Sequence, residues 1–403
     1  MKLRKALVQR LNILEMTGIN KKILYLMEYP IDLPGGGQMS TETLCTGLVE
    51  MSDYEPVVCC PKLLKKKESD YPFSLNTYVS DENREDTKIK RVLNFVRRIG
   101  SFYKIIKSEK PDLIHVSMSE SLITFGFLRC LQFFRKTPFV YIDRGLADGY
   151  RKHSMTCMKA TLKYAKRLIT TTEFNKNLWS KEDLRCPITV IPNTISKSFN
   201  DFDNNKRQIE REKNGIKDGE FVIGFAGRIS EEKDWPFVPV LVKALKDAGI
   251  KFKVALVISV YEANDLKLVD EIKKGISDSI GSENLIYMQD LSQNEISDYY
   301  YMVDVFVMSS MFESFGKAAV EAMSRKCSVV STSVGGLSEV IGKDENLYTK
   351  DNVEKFVNRI KVLTENEEEL NKDREFFYER YKNNYTIEAN VLSHVKMYDE
   401  IFS

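Results

Sequence analysis

The sequence predicts an α/β fold made of two Rossmann-like domains, each built around a doubly wound parallel sheet. Short apolar runs rich in β-branched residues alternate with helical patterns along most of the 403 residues. A polar, charged stretch between Ser196 and Glu220 interrupts this alternation once. Strand–helix alternation is typical of parallel sheets with helices on both faces. The interruption therefore separates two α/β domains.

The candidate strands divide between the two domains. Those of the first domain are Lys22–Met27, Glu55–Cys60, Leu113–Val116, Phe139–Ile142, Arg167–Thr171 and Ile188–Ile191. Those of the second are Phe221–Ala226, Lys253–Ile258, Leu285–Met288, Val305–Met308 and Ser328–Thr332. Helical patterns lie between many of them, as at Lys90–Ser108 and Asn294–Met302, and dominate from Glu354 onward. We predict a basic extension over 1–20, an N-terminal domain over 21–200, a linker over 201–220 and a C-terminal domain over 221–385.

The charge is balanced overall but unevenly distributed. The net charge is +2, whereas a nucleic-acid binder usually carries a larger basic excess, so that class is disfavoured. Residues 1–200 hold 33 Lys+Arg against 21 Asp+Glu, and the remainder holds 27 against 37. A basic first half suggests a face that meets something anionic. Chance drift in composition is the alternative interpretation.

Cysteine usage and hydropathy indicate the compartment. The seven cysteines include no Cys-x-x-Cys pair, so we predict neither a disulfide framework nor a zinc site, and a reducing cytoplasm is expected. The best apolar run, Leu122–Phe134, is interrupted by Arg129 and is too short to span a bilayer. Residues 1–20 lack the apolar core of a secretory signal.

Two basic features predict peripheral docking on the cytoplasmic face of a membrane, where a lipid-linked acceptor would be met. The first is an amphipathic pattern in which Leu3, Leu7, Leu11 and Leu14 share one helical stripe. The second is a cluster after the second strand, formed by Lys62, Lys65, Lys66 and Lys67. A plain surface helix and a solvated loop are the alternatives.

The segment Ser309–Gly336 carries the strongest functional signal. After the strand Val305–Met308 comes a turn with Glu313 and Gly316, and a helix then opens near Lys317. This order places a helix N-terminus at the carboxyl end of a parallel strand, where α/β folds bind ligands. We expect free N–H groups there to donate hydrogen bonds to a phosphate, Glu321 to reach a ribose diol and Glu313 to reach a sugar hydroxyl. An ordinary exposed glutamate is the alternative for Glu321.

Two further loops follow predicted strands. Arg228 and Lys233 lie in GFAGRISEEK, where two cations at a strand end neutralise a diphosphate and stabilise its departure. Gly35, Gly36 and Gly37 follow the first strand and allow close approach of backbone to ligand. These glycines fit neither G-x-G-x-x-G nor the Walker A pattern, which disfavours nicotinamide and P-loop functions.

With these residues the chain resembles the large "group 1" family of GT-B glycosyltransferases, most of whose members are retaining. The matches are Glu-x7-Glu at Glu313 and Glu321, Gly-Arg with a later lysine at Arg228 and Lys233, Gly-Gly within Gly35–Gly37, IPN at Ile191–Asn193 and VGG at Val334–Gly336. The resemblance covers roughly residues 21 to 400, and its second half is the more specific.

The resemblance implies two Rossmann-like domains facing across a cleft, with the last helix, about Thr386–Phe402, crossing back onto the first domain. The C-terminal domain would bind a nucleotide diphosphate sugar, most readily a UDP-sugar, and the N-terminal domain the acceptor. The implied donor-binding residues are Gly35, Gly36, Gly37, Arg228, Lys233, Glu313, Phe315, Gly316, Lys317 and Glu321. Because two cations would face the diphosphate, no metal or other cofactor is expected.

One departure from the family pattern concerns the acceptor side. Many members carry a histidine at the end of an N-terminal-domain strand, near the reacting sugar. Here the strand reads FVYIDRG, so Asp143 and Arg144 occupy that place, and His115 ends the preceding strand. Asp143 is therefore a candidate catalytic residue that orients or deprotonates an acceptor hydroxyl. A strand-end turn residue is the alternative.

The predicted function is transfer of a hexose-type sugar from a nucleotide diphosphate sugar to a glycan or lipid-linked acceptor in cell-surface polysaccharide or glycoconjugate synthesis. Retention of configuration and independence from metal are expected. Three alternatives remain open at this stage. They are a sugar-nucleotide epimerase of the same fold, a catalytically silent glycan-binding or partner subunit, and an inverting transferase with Asp143 as general base.

Overall fold

The structure, a computed structural model, describes residues 20–80, 87–260 and 262–403. The predicted basic extension therefore lies outside the described residues, apart from Asn20. The chain divides into two compact units. Unit 1 comprises Met1–Thr170, Lys176–Ile191 and Asn390–Ser403, and unit 2 comprises Thr171–Asn175 and Pro192–Ala389.

Unit 1 is built on a parallel sheet. Its strands are β1 (Lys21–Leu26), β2 (Tyr54–Pro61), β3 (Ser74–Tyr78), β4 (Leu113–Val116), β5 (Phe139–Asp143), β6 (Arg167–Thr170) and β7 (Ile188–Val190). They lie in the order β3-β2-β1-β4-β5-β6-β7, and every neighbouring pair is parallel. The order reverses between β1 and β4, so the carboxyl ends of these strands form the switch point at which such sheets bind ligands.

Helices connect these strands. They are α1 (Gly36–Met51), α2 (Lys88–Glu109), α3 (Ser119–Cys130), α4 (Lys152–Leu162) and α5 (Glu173–Ser180). The core of unit 1 joins apolar residues of β1, β4 and β5 to one side of α2, α3 and α4, and it includes Phe102, Phe125 and Trp179. Helix α2 is capped by Thr87, whose side chain accepts a hydrogen bond from the backbone N–H of Lys90.

Unit 2 contains a second parallel sheet. Its strands are β8 (Val222–Arg228), β9 (Lys253–Ser259), β10 (Leu285–Gln289), β11 (Val305–Met308), β12 (Ser328–Thr332) and β13 (Leu347–Tyr348). The order is β10-β9-β8-β11-β12-β13, again parallel throughout. The switch point lies between β8 and β11, the two strands that precede the motifs singled out in the sequence. Two parallel α/β sheets confirm the predicted fold class.

The helices of unit 2 cover both faces of its sheet. They are α6 (Lys206–Lys213), α7 (Val238–Asp247), α8 (Leu266–Ile280), α9 (Gln293–Met302), α10 (Lys317–Ser324), α11 (Leu337–Ile341), α12 (Val353–Glu365) and α13 (Glu367–Asn384). Two apolar clusters lie on opposite sides of the sheet, one centred on α10 and α13 and the other on α7, α8 and α12.

The structure differs from the sequence prediction around residues 192–220. Unit 2 begins at Pro192, and the segment predicted as a linker contains α6. Arg207 and Arg211 of this helix form ion pairs with the buried carboxylate of Asp304. Charge rather than an apolar stripe anchors the segment, which explains why its polar sequence suggested a linker.

The last helix, α14 (Ile387–Phe402), returns to unit 1 from Asn390 onward. The Tyr398 hydroxyl lies 2.8 Å from the Tyr25 hydroxyl and 2.6 Å from His115 Nδ1, and Tyr54 donates a 2.7 Å hydrogen bond to Asp399. These contacts join the end of the chain to its first strands, and they confirm the helix that was expected to cross back.

Candidate active site

The turn that follows β11 has a backbone shape that glycine favours. Gly316, at φ 89° and ψ 58°, is the residue before α10, and a Cβ there would overlap the side chain of Leu337. Only glycine adopts this left-handed conformation without strain. The turn therefore ends directly at the N-terminus of α10, which is the positive end of the helix dipole.

A second glycine-containing loop fixes this turn in place. The backbone N–H of Gly336 donates a 3.1 Å hydrogen bond to the carbonyl oxygen of Glu313. A Cβ on Gly335 would overlap that carbonyl, and one on Gly336 would overlap the carbonyl of Ser314. The VGG segment thus lets two stretches of backbone approach more closely than any side chain would permit.

Lys233 and Glu313 form the central ion pair of the site. Lys233 ends a short 3-10 turn after β8, and its Nζ lies 2.6 Å from Glu313 Oε2, with both side chains about four-fifths buried. Two bonds hold the loops together beneath the pair. Ser309 Oγ donates to the Lys233 carbonyl, and the Met311 N–H donates to the Glu232 carbonyl. The structure therefore brings together two residues that are 80 positions apart in sequence.

Arg228 lies at the same edge of the sheet but is more exposed. Its guanidinium is 3.8 Å from Glu232, and both side chains are about half exposed. The indole Nε1 of Trp235 donates to the Arg228 carbonyl and fixes the backbone of the loop. The two predicted cations therefore differ, because Lys233 is held by Glu313 whereas Arg228 lies in a solvated ion pair.

Glu321 lies one turn into α10. Its Oε2 accepts a 3.2 Å hydrogen bond from the Tyr300 hydroxyl. Burial raises the pKa of Glu321, while Lys317, Tyr300 and Lys233 oppose that rise. The carboxyl group is thus surrounded by groups that orient it. Phe315 is buried against the ring of Tyr385, with ring centroids 5.6 Å apart, so its side chain supports the turn from inside.

In unit 1, the glycine loop leads directly into α1. Gly36 and Gly37 are the first residues of this helix, and Gly35 precedes it in an extended conformation. A Cβ on Gly35 would overlap the Gln38 side chain, whereas Gly36 has open space around it. The loop therefore presents helix N–H groups at the carboxyl end of β1, as expected for a backbone that contacts a ligand.

Asp143 is buried at the end of β5 and is fully engaged by donors. Its Oδ1 accepts from the Tyr150 hydroxyl at 2.6 Å and from the Gly145 N–H at 3.1 Å. Its Oδ2 accepts from Trp179 Nε1 at 2.6 Å. Three donors hold this carboxylate in one orientation, and a general base needs a free lone pair toward its substrate. These bonds give Asp143 a structural role at the end of β5, and its catalytic role stays a prediction.

Glu28 is a buried carboxyl group that the sequence reasoning missed. It follows β1, at the switch point of unit 1, and its Oε2 accepts from both the N–H and the hydroxyl of Ser121 at 2.7 Å. Burial raises the pKa of Glu28 to about 7, although the Ser121 bonds and Arg98 act in the opposite direction. The only signal in the sequence is an acidic residue directly after the apolar run ILYLM.

The sequence matches two families of glycosyltransferases, one over each half of the chain. Residues 206–382 match the family "Glycosyl transferases group 1", and residues 34–199 match "Glycosyltransferase Family 4". The first match contains the loops with Arg228, Lys233, Glu313 and Glu321. The chain is a glycosyltransferase whose residues 206–382 match the group 1 family. The predicted family and enzyme class are thereby confirmed.

Individual relatives of this glycosyltransferase are distant. It is 32% identical over 127 residues to the 2-deoxystreptamine glucosyltransferase of Streptomyces kanamyceticus, covering 32% of this chain and only 31% of that enzyme. It is 26% identical to an uncharacterized glycosyltransferase of Methanocaldococcus jannaschii, covering 84% of this chain and 92% of that protein. The fold is similar to that of Anabaena HepE in complex with UDP, with a TM-score of 0.78, 15% identity and coverage of 94% and 100%.

The loop that carries Lys62, Lys65, Lys66 and Lys67, here called the lysine loop, is held in place by the carboxylate of Asp32. Asp32 Oδ2 accepts hydrogen bonds from the backbone N–H groups of Leu64, Lys65 and Lys66 at 2.8, 2.6 and 3.1 Å. The Lys66 side chain forms an ion pair with Glu42. Within the described part of the chain, Lys62 and Lys65 form no ion pair. Among the described residues, no helix is long and apolar enough to cross a membrane.

Proposed function

We propose that this glycosyltransferase moves a hexose-type sugar from a UDP-sugar to a glycan or lipid-linked acceptor. The observation that carries the proposal is the Lys233–Glu313 pair beside the N-terminus of α10. A diphosphate binds well where a fixed cation and free backbone N–H groups face the same place. The UDP in the structurally similar Anabaena protein supports uracil as the base of the donor nucleotide.

Four of the predicted donor residues take distinct parts in this proposal. Lys233 and the more exposed Arg228 neutralise the diphosphate and stabilise it as it departs. Glu321, oriented by Tyr300, accepts hydrogen bonds from the ribose diol. Glu313 contacts the transferred sugar. Because cationic side chains serve the leaving diphosphate, the reaction is proposed to need no divalent ion.

The acceptor is assigned to unit 1, near the carboxyl ends of β1 and β4, and Gly35–Gly37 at the end of β1 are still proposed as contacts of the donor. Retention of configuration is proposed, because the three donors around Asp143 disfavour an inverting mechanism with that base. The basic character of residues 1–200 supports a cytoplasmic enzyme that works at an anionic membrane surface, in polysaccharide or glycoconjugate synthesis.

A donor panel tests the proposal. The full chain is incubated with UDP-, GDP- and ADP-linked hexoses in excess chelator, and the released nucleoside diphosphate is measured. We expect UDP release from at least one donor without added metal. Glu313→Gln should lower turnover by about a hundredfold or more and leave UDP affinity nearly unchanged, whereas the exposed control Glu271→Gln should alter neither. Turnover only of GDP- or ADP-sugars, or only with restored metal, would contradict the proposal.

A further inference from the structure

Helix α2 has an apolar stripe on its solvent side over its first three turns. Ile89, Val92, Leu93 and Val96 are 76%, 61%, 52% and 58% exposed. Their spacing of three and four residues places them on one face of the helix. The side that faces the unit 1 core instead carries Asn94 and Arg98, which are both buried. A surface helix normally has the reverse arrangement, so the exposed stripe needs a partner.

The stripe is part of a larger apolar surface. Phe127, Leu131 and Phe133, at the end of α3 and just beyond it, are 46%, 50% and 40% exposed. The rings of Phe95 and Phe127 meet edge to face with centroids 6.2 Å apart, and Tyr103 and Phe133 do so at 4.9 Å. Aromatic contacts thus connect α2 to α3, and the exposed residues of both helices lie on adjoining parts of unit 1.

Positive charge surrounds this surface. Helix α2 carries seven Lys and Arg residues and one acidic residue, Glu109. The longer segment 81–136 has 12 Lys+Arg and 7 Asp+Glu, so it remains basic when the acidic residues that precede the helix are counted. Lys90 and Arg97 each follow a stripe residue directly, which places them along its border. The long stems of such residues lie along apolar surface while their charges reach outward.

The lysine loop lies near the same edge of the sheet. The backbone N–H of Lys62 donates to the carbonyl of Tyr78, the last residue of β3, and the chain continues from there to α2. The predicted basic cluster Lys62, Lys65, Lys66 and Lys67 therefore begins beside the end of β3.

We propose that this surface, defined by Ile89, Val92, Leu93, Val96, Phe127, Leu131 and Phe133, docks unit 1 onto an anionic lipid bilayer. An apolar face bordered by Lys and Arg is the composition that lies in the interface of such a membrane. A second copy of the chain fits less well, because a symmetric contact would bring two basic borders together. The inference deepens the proposed function, since a lipid-linked acceptor is found at this interface.

Vesicle co-sedimentation of the full chain tests the inference. Vesicles of phosphatidylcholine alone are compared with vesicles of equal parts phosphatidylcholine and phosphatidylglycerol, at low and high salt. We expect binding to the anionic vesicles that weakens with salt, because screening shortens the reach of surface charges. The double variant Ile89→Gln with Leu93→Gln should bind about tenfold more weakly or worse. The control Val240→Gln, at an exposed valine of α7 in unit 2, should bind like the parent protein.

A charge variant separates the two contributions. Lys90→Gln with Arg97→Gln should reduce binding to anionic vesicles and flatten its salt dependence, whereas Lys243→Gln should do neither. Absence of sedimentation with anionic vesicles, or unchanged binding by the Ile89/Leu93 variant, would overturn the inference. A dimer in solution that this variant converts to monomers would also overturn it, because the stripe would then be a protein interface.

Donor turnover in the absence of vesicles distinguishes this inference from the proposed function. The Ile89/Leu93 variant should keep the parent protein's UDP affinity and donor turnover, because its changed residues lie outside unit 2, where the donor motifs are. Normal vesicle binding with no turnover of any UDP-sugar would reject the proposed function alone. Normal turnover with no vesicle binding would reject the docking surface alone.

Discussion

Lys233 is the residue whose role in donor binding can be measured most directly. Its amine is held 2.6 Å from Glu313 and is largely shielded from water. We predict that Lys233→Ala weakens UDP binding by about 1–3 kcal/mol, the range for a hydrogen bond to a charged group. Isothermal titration calorimetry with UDP measures this change. Lys243→Ala, which removes an exposed lysine of α7, is the matched control. Equal affinities of the two variants would remove Lys233 from the donor site.

Glu28 predicts a pH dependence of stability. Its pKa in the folded protein is raised to about 7 from an ordinary value of 4.5, so the folded state binds the proton more tightly. The resulting stability is fully present below pH 4.5 and is lost as pH rises through 7. We predict that Glu28→Gln, which stays neutral, is more stable than the parent protein by up to about 3 kcal/mol at pH 8. At pH 5 the difference should be below about 1 kcal/mol.

Urea denaturation of both proteins at the two pH values measures this difference. Glu271→Gln, at an exposed carboxylate of α8 in unit 2, is the control and should keep the free energy of unfolding within about 0.5 kcal/mol of the parent protein at both pH values. If the parent protein and the Glu28→Gln variant have the same free energy of unfolding at pH 8, ionisation of Glu28 does not destabilise the folded protein.

For individual residues, the sequence predicts positions in the fold better than it predicts side-chain contacts. The positions of Glu313, Glu321, Arg228 and Lys233 after β8 and β11 were predictable, because each lies in a short motif that follows a recognisable strand. The partners of Asp143 were not, because Tyr150 and Trp179 reach it from two other parts of the chain. Glu28 is similar, since its burial depends on Ser121, which is 93 residues away. Side-chain environment depends on contacts that periodicity does not encode.

At the scale of elements, the strands with strong apolar patterns were predicted and the weak ones were missed. Strand β3 reads SLNTY and pairs only with β2 at the edge of its sheet, so it lacks an apolar signature. Strand β13 has two residues at the opposite edge of the unit 2 sheet. Edge strands pack on fewer neighbours, and their sequences are therefore less constrained than those of central strands.

Helix α6 shows that an element can be held by charge, and this is testable. The buried carboxylate of Asp304 pairs with Arg207, Arg211 and Arg374 and accepts from the Val222 N–H. We predict that Asp304→Asn lowers the free energy of unfolding by about 3–5 kcal/mol, because it leaves the arginines without their buried partner. Asp298→Asn, which removes a partly exposed ion pair with Lys206, should cost about 1 kcal/mol or less.

Urea denaturation, followed by far-UV circular dichroism, measures the free energy of unfolding of both variants. The comparison contrasts a buried carboxylate that has several partners with a partly exposed one that has a single partner, and each of them pairs with α6. Similar losses in the two variants would indicate that the segment 201–220 contributes no more than a surface contact, as the original prediction of a linker implied.

At the scale of the whole molecule, the first and last described elements of the chain meet inside unit 1. Tyr25 of β1 and Tyr398 of α14 are 373 residues apart and share a hydrogen bond. Two buried histidines lie beside them, with the rings of His115 and His394 stacked at 5.9 Å. Unit 1 is therefore complete only once the last residues of the chain are in place, and its stability depends on keeping these rings neutral.

Burial lowers the pKa of His394 to about 4 and lowers the pKa of His115 well below its ordinary value of 6.5. A histidine with a depressed pKa contributes stability above pH 6.5, and that stability is lost as pH falls toward 4. For His394 alone the loss at pH 5 is about 2 kcal/mol. Glu28, in the same unit, acts in the opposite direction over the same range. The parent protein should therefore show a flatter pH dependence than either group alone would give.

We predict that single variants expose the two opposed slopes. Glu28→Gln removes the loss of stability that accompanies ionisation of Glu28 at higher pH. The free energy of unfolding of this variant should therefore fall steeply from pH 8 to pH 5, because the histidines become protonated in the unfolded chain. His394→Asn removes part of the stability loss that the buried histidines cause at low pH. The free energy of unfolding of this variant should therefore fall as pH rises from 5 to 8. Measuring the free energy of unfolding of the parent protein, both single variants and the double variant across this range tests the prediction. If both single variants keep the slope of the parent protein, these buried groups do not control the pH dependence of unit 1.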